Sequence, residues 1–343
     1  MSRQPTLDVR MVDVHDVRDI NQTLFLHLIR DRQPVSRADL AKATGLRAGT
    51  VSAIVGRLIS QGLVYEGVAG PSSGGRPPMY LYVNADSAYV LAIDIGVRDT
   101  VYAVFDFNGR MLMQQALLTH GRPSAFLNRV AEQARATMST QFPRARFHAV
   151  GVSVPGLVDR AEQRIVVSPN LEWHDVAIGS TLEQAFGLPV FVENDANAAA
   201  LGELWYGPTE EARIRTLLFV LVVEGIGTGL IINGQLHVGT RIGLGGFGHM
   251  TLDPSGPRCT CGRRGCWEAL ASNRATLERY RQLVRGRRAA SSMVDLLRLA
   301  QQGDAAAERA IVASAAYLGD GIASLTHGLS PEAIVIGGDI SSA

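Results

Sequence analysis

The 343-residue chain is 46% hydrophobic and 19% charged, with a formal net charge of +1 and three cysteines. That length exceeds one small domain, the apolar content supports a substantial core, and three clustered thiols are not a disulfide framework. The absence of an uninterrupted apolar run of about 18 residues argues against a membrane span, and the opening "MSRQPTLDVRMVDVHDV" has no apolar signal core, so a cytoplasmic protein is expected.

In chain order, "RDINQTLFLHLIRDR" (18–32) reads as a helix with Ile20, Leu24, Phe25 and Leu28 on its apolar face. In the next stretch Ser36 and Asp39 form a capping-box variant, Leu40, Ala41 and Ala43 supply a short apolar face, and Gly45 ends the helix. A second helix is expected from about Ala48 to Gln61, with Val51, Ile54, Val55, Leu58 and Ile59 facing inward. "LVYEGVAGPSSGGRPPMYLYVN" then reads as strand, turn, strand, a β-hairpin wing. Residues 36–80 carry a local charge of +3. Together these features predict a winged helix-turn-helix over residues 1–86 that binds double-stranded DNA. Arg47, Thr50 and Ser52 open the second helix, where side chains meet base edges, and Arg76 at the wing tip is placed for a minor groove or a phosphate. A helical packing module without DNA contact is the competing reading.

From Tyr89 onward strands and helices alternate, which predicts an α/β architecture over residues 87–343. "YVLAIDIGV" is a buried strand, "TVYAVFDFNGRML" a hairpin turning at Asn108-Gly109, and "SAFLNRVAEQARATMSTQF" an amphipathic helix. "FHAVGVSVPG" is a strand, and "LPVFVENDANAAALGELWYG" a strand running into a helix. "TLLFVLVVEGIGTGLIINGQL" reads as two apolar strands broken at Gly225–Gly229, followed by helices over about 273–326 and the strand "AIVIGG".

Every cysteine lies in one glycine-rich loop. Cys259, Cys261 and Cys266 have the spacing C-x-C-x4-C, and three thiolates with one imidazole complete a tetrahedral Zn²⁺ shell, a structural metal site. His249 is chosen over His237 as the fourth ligand on proximity alone. Asn194 and Asp195 sit where a strand becomes a helix. Asp195 there suits a general base toward a sugar hydroxyl, although helix capping is the commoner use of such residues.

These motifs carry a family resemblance. "GGRP", "DIG", "GVSVPGLVD", "PNLEW", "ENDANAAALGE", "GIGTGLIINGQL", "CTCGRRGCWEALAS" and "LSPEAIVIGGD" resemble the ROK family of repressors and sugar kinases, in its repressor branch. The resemblance implies a two-lobed actin/hexokinase-like fold, ribonuclease H-like in its core, behind the winged helix. It implies Zn²⁺ on His249, Cys259, Cys261 and Cys266, and a sugar or sugar derivative held by Asn194, Asp195, His249 and Glu268. It also implies a homodimer or homotetramer on a palindromic operator.

Three departures from the family pattern bear on function. Val97 and Arg98 replace the glycine and threonine of the first phosphate hairpin, and Val223-Glu224-Gly225 replaces G-T-G at the second. Phosphoryl transfer is largely positioning and charge neutralisation, so Asp195 without a phosphate site is a vestigial base. Gly246 stands where the family places a glutamate that accepts sugar hydroxyls. The expectation is a sugar-responsive repressor of carbohydrate genes with no enzymatic activity; the alternative is a glucokinase-like sugar kinase with an appended DNA-binding domain. The sequence stops at "GGDISSA", where the family continues with a further helix.

Overall fold

Ser36 and Asp39 fix the first turn of the helix Arg37–Thr44. In the computed structural model, which describes residues 14–69, 77–207, 214–238, 246–284 and 290–342, the Asp39 amide donates to the Ser36 hydroxyl at 3.2 Å. The Asp39 carboxylate accepts the Ser36 amide at 3.0 Å and its hydroxyl at 2.7 Å. This reciprocal capping box satisfies donors that a helix start leaves orphaned, and the Ser36 hydroxyl holds the Asp39 carboxyl below the usual carboxylate range. The chain divides into two compact units, Met1–Leu91 with Ala103–Gln114 and Thr140–His148, and Ala92–Tyr102 with Gln115–Ser139 and Ala149–Ala343.

In the first unit, α1 (Val14–Arg32) is followed by β1 (Val35–Ser36), α2 (Arg37–Thr44), α3 (Ala48–Ser60), β2 (Val64–Ala69) and β3 (Met79–Val83). Gly45 ends α2 in the left-handed conformation (φ 70°) that glycine adopts without strain. Strands β2 and β3 pair antiparallel, and β1 adds to β3, which makes a three-stranded sheet behind the helices. Phe25, Ile29, Leu40, Val51, Val55, Leu58 and Leu81 form the core. Two sequence expectations shift. Leu24 is exposed while Phe25 and Ile29 are fully buried, because turning α1 to enclose the phenyl ring removes more apolar area from water. Of the expected α2 face only Leu40 is buried; Ala41 is half-buried and Ala43 exposed, since eight residues present little more than two turns.

Strands β4 (Tyr89–Ile95), β5 (Asp99–Asp106) and β6 (Met111–Leu118), helix α4 (Pro123–Gln141) and strand β7 (Phe147–Val154) come next. They are followed by β8 (Leu157–Asp159), β9 (Arg164–Ser168), β10 (Trp173–Val176), α5 (Ile178–Phe186), β11 (Val190–Asn194) and α6 (Asp195–Tyr206). One five-stranded sheet has the order β11-β7-β4-β5-β6, with β11 parallel to β7; β8, β9 and β10 form a smaller antiparallel sheet. Strands β12 (Leu217–Val222), β13 (Ile226–Ile232) and β14 (Gln235–Leu236) and helices α7 (Trp267–Ala271), α8 (Asn273–Val284), α9 (Met293–Gln301) and α10 (Ala305–Leu329) precede β15 (Ala333–Gly337). These last strands form a sheet of order β14-β13-β12-β15, in which β15 is parallel to β12.

The β12–β13 break falls at Val223–Gly225, and Gly227 and Gly229 lie inside β13. Their glycines serve packing. A Cβ on Gly229 would stand 2.4 Å from the Ala196 carbonyl oxygen and 2.5 Å from the Ala200 Cβ, and one on Gly227 would stand 2.8 Å from the Ala196 Cβ. Bare backbone on β13 therefore lets α6 lie directly on the sheet, with the Asn194-Asp195 junction at its head. Behind them Trp267 is fully buried against Gly321, where a Cβ would collide with the indole, and its ring nitrogen donates to the Tyr317 carbonyl at 3.0 Å. Among the described residues no helix is long and apolar enough to cross a membrane. Gly229→Ala is expected to cost about 1–3 kcal/mol by overpacking the α6–β13 contact. Urea denaturation checks this, and an unchanged midpoint would contradict it.

Candidate functional site

The loop between β14 and α7 is shaped by its glycines. Gly262 (φ 89°) and Gly265 (φ 62°) take left-handed backbone, and a Cβ on Gly265 would fall 1.4 Å from the Asp253 carbonyl oxygen. The Cys259 amide donates to the Arg263 carbonyl at 2.8 Å, and the Gly262 amide to the Cys259 carbonyl at 3.0 Å. Isolated bridges Thr251–Cys266 and Arg258–Arg264 close the loop on itself. His249 ends a 3-10 turn (Gly246–His249) whose Gly248 abuts the Ile226 carbonyl of β13 so closely that no side chain would fit.

These turns bring His249, Cys259, Cys261 and Cys266 together, with one ligand atom from each and all four atoms within 4.8 Å of one another. His249 Nδ1 lies 3.5 Å from Cys259 Sγ, and the sulfurs of Cys261 and Cys266 are 3.6 Å apart. Thiolates at tetrahedral Zn²⁺–S distances sit ~3.8 Å apart, so the cluster fits a small ion with soft sulfur donors. Among the described residues His249, and not His237, joins the three sulfurs. Burial pushes the Cys259 thiol up, with the adjacent Glu268 carboxylate adding to it. The Cys261 thiol is also desolvated, yet the Arg263 amide and guanidinium bring it down to about 7.

Glu268 ties this cluster to the β12–β13 turn. It is 7% exposed at the head of α7, where Trp267 anchors the helix. Its Oε1 accepts the Cys259 thiol at 3.0 Å and lies 3.4 Å from both the Thr260 hydroxyl and His249 Nδ1. Its Oε2 faces the β12–β13 turn. A Cβ on Gly225 would lie 2.8 Å from that oxygen and 3.5 Å from Asn170 Nδ2. Asn170, inside the quoted "PNLEW", thus meets the same turn as Glu268; sequence reasoning assigned it no role, and only the motif pointed to it. Gly246 is exposed with nothing within 4 Å of a Cβ position, so a side chain there would meet open space.

Asn194 is the N-cap of α6. Its Oδ1 accepts the amides of Ala196 (3.0 Å) and Asn197 (3.2 Å), while its Nδ2 donates to the Gly156 carbonyl (3.0 Å) and to Asp195 Oδ1 (2.9 Å). Both lone pairs and both protons of the amide are engaged within the protein. Capping and orientation of Asp195 are therefore one arrangement. Burial pushes the Asp195 carboxyl up to about 6 and the Asp94 charge adds to this, against the favourable Ala196 amide. Asp94 in turn accepts the Ser153 hydroxyl at 2.5 Å.

The two altered phosphate turns meet each other. Arg98, between β4 and β5, places its Nε 4.0 Å from Glu224 Oε1, between β12 and β13. In the first unit Arg47 is the N-cap residue of α3 without a side-chain capping bond, and Arg47, Thr50 and Ser52 are all exposed. Arg37 is ion-paired to Glu66. Arg76, expected at the wing tip, lies outside the described residues.

Comparison with known proteins places these features. The profile of the ROK family matches residues 90–343 and that of the MarR family residues 15–71. A xylose repressor of Bacillus subtilis is 34% identical over 322 residues, which are 93% of this chain and 82% of that protein. The crystal structure of a ROK family transcriptional regulator, a homologue of the Escherichia coli MLC protein, is 27% identical with a TM-score of 0.80 and covers 95% of this chain and 85% of that one. A ROK family glucokinase from Streptomyces griseus, solved with glucose and AMPPNP, is 30% identical with a TM-score of 0.65 over 74% of this chain and 84% of its own.

Asp195 makes stability depend on pH. Its carboxyl ionises near 3.8 when unfolded and near 6 when folded, so its penalty is absent below about 4, grows between, and is complete above about 6. Asp195→Asn is expected to stabilise the protein at pH 7.5 by about 1–3 kcal/mol, with the gain vanishing toward pH 4. Thermal denaturation across that range checks the sign; a gain that grows on acidification would contradict it.

Proposed function

This chain belongs to the ROK family, and on that premise we propose that it is a DNA-binding transcriptional repressor of carbohydrate-metabolism genes whose cleft takes a sugar or sugar derivative as effector. The observation that carries this reading is the coexistence, in one chain, of an exposed α3 start in a helix-turn-helix and a ROK domain in which Arg98 and Glu224 occupy the two turns that depart from the family's phosphate pattern. The regulators match the chain across 93% and 95% of its length, whereas the glucokinase matches 74%. In this reading residues 1–86 are the DNA-binding domain and 87–343 the effector domain of a cytoplasmic protein. A homodimer or homotetramer would present paired copies of α3 to the two half-sites of a palindromic operator. Arg47, Thr50 and Ser52 reach base edges, and Arg76 contacts the backbone or minor groove.

In the effector domain His249, Cys259, Cys261 and Cys266 are the residues that would hold Zn²⁺. Four protein donors leave no open position, so the ion would stabilise the loop and take no part in chemistry. The loop fixes His249 and Glu268, which hold sugar hydroxyls. Ionised Asp195 accepts another, and Asn194, whose amide already grips Asp195, sets its direction. Binding of a sugar to one arrangement of these groups in preference to another shifts the population of DNA-competent protein. Glu224 sets a carboxylate where a kinase needs to receive phosphate, which supports regulation rather than phosphoryl transfer.

Two outcomes follow. In a gel-shift series with its own upstream DNA at low salt, the wild-type protein binds and a sugar from a pentose and hexose panel alters binding. Arg47→Ala or Thr50→Ala weakens binding by about 1–3 kcal/mol with the same melting temperature. Failure to bind any candidate operator would sink the reading. Elemental analysis of purified protein is expected to find one zinc per chain, lost together with several degrees of melting temperature in Cys261→Ser; retention of full zinc by that variant would contradict the assignment.

A further inference from the structure

The two residues that depart from the phosphate hairpins do more than exclude phosphate. Arg98 donates from both Nη1 and Nη2 to the Ser291 carbonyl, at 3.2 Å each, while its Nε faces the Glu224 carboxylate at 4.0 Å. One side chain therefore touches two segments far apart in sequence: the β12–β13 turn and the approach to α9. Its own backbone is anchored, since the Arg98 carbonyl accepts the Thr119 amide at 2.8 Å and the Gly96 amide closes the turn onto the Asp99 carbonyl at 3.1 Å. At the other end, the Val223 amide donates to the Gly225 carbonyl at 3.0 Å, so Glu224 rides on a closed turn. Gly225, the next residue, is the one that lies against Glu268 and Asn170. Ser291 is held in place by its hydroxyl, which donates to Asp295 at 2.6 Å on the first turn of α9.

We propose that Arg98 is a clasp that ties the β12–β13 turn and the start of α9 to the β4–β5 turn, across the two turns whose sequences depart from the family's phosphate pattern. The clasp sets how freely the turn carrying Gly225 moves against Glu268, and so regulates the effector site; that consequence rests on the effector reading above. Both charged partners are partly exposed, with side-chain accessibilities of 59% and 37%. A pair of this kind is weak and screened by salt, which suits a contact that opens and closes.

Hydrogen exchange on the full-length protein, without sugar or DNA, tests the clasp. In Arg98→Gln, peptides covering 221–226 and 290–294 are expected to exchange roughly two- to fivefold faster than in wild type, the factor an exposed ion pair supports. In Glu224→Gln the acceleration is confined to 221–226, because Arg98 keeps the Ser291 carbonyl. In Arg98→Glu/Glu224→Arg, exchange at 221–226 returns toward wild type. Unchanged exchange at either segment in Arg98→Gln, or no recovery in the charge-swapped protein, overturns the proposal. Because no ligand enters the measurement, a failed gel shift leaves it standing, and its own failure leaves the regulator reading untouched.

Discussion

A buried carboxylate must be satisfied by its surroundings, and Glu268 meets that requirement by joining two structures that would otherwise be separate. One of its oxygens lies 3.0 Å from Cys259 Sγ and 3.4 Å from the Thr260 hydroxyl and His249 Nδ1, all parts of the cysteine loop. The other faces the glycine turn between β12 and β13. A side chain at Gly225 would push the carboxylate out of place. The cysteine cluster and the β12–β13 turn thereby meet at one side chain, and Trp267 beside it packs against Gly321 and donates to the Tyr317 carbonyl.

The same economy governs the head of α6. Asn194 spends its whole amide on capping α6 and on aiming Asp195, and α6 can reach that position because Gly227 and Gly229 leave β13 bare beneath it. Asp195 keeps a raised pKa from burial and from Asp94, the kind of perturbation that catalytic sites arrange. Arg98 and Glu224 face each other at 4.0 Å across the two turns whose sequences depart from the family's phosphate pattern. What remains is a pair of polar side chains, Asn194 and Asp195, at the head of α6, in a chain that also carries a helix-turn-helix.

Much of this was legible in the sequence where a local rule decides the outcome. Ser36 with Asp39, Gly45, the α3 stripe and the C-x-C-x4-C loop each have a short-range physical cause, and each took the expected form. Leu24 was misplaced because periodicity alone weighs a leucine and a phenylalanine equally, while packing favours burial of the larger ring. The strand break was misplaced for a similar reason: Gly227 and Gly229 read as turn residues, yet they are glycine because a helix lies on them. Asn170 and the Arg98–Glu224–Ser291 contact could not be foreseen, since they join residues more than 50 positions apart that no single-sequence spacing relates. The capping use of Asn194 is the one the structure displays, and the same amide also donates to Asp195.

The central claim is that the cysteine loop, through Glu268, makes DNA binding answer to a sugar. Fluorescence anisotropy with labelled operator DNA tests it directly by comparing wild type with Glu268→Gln while the released fraction is followed against sugar concentration. Equal DNA affinity of the two proteins without sugar, and release of the wild type at sugar concentrations that leave the variant bound, is the expected result. Release of both proteins at the same sugar concentration would contradict it.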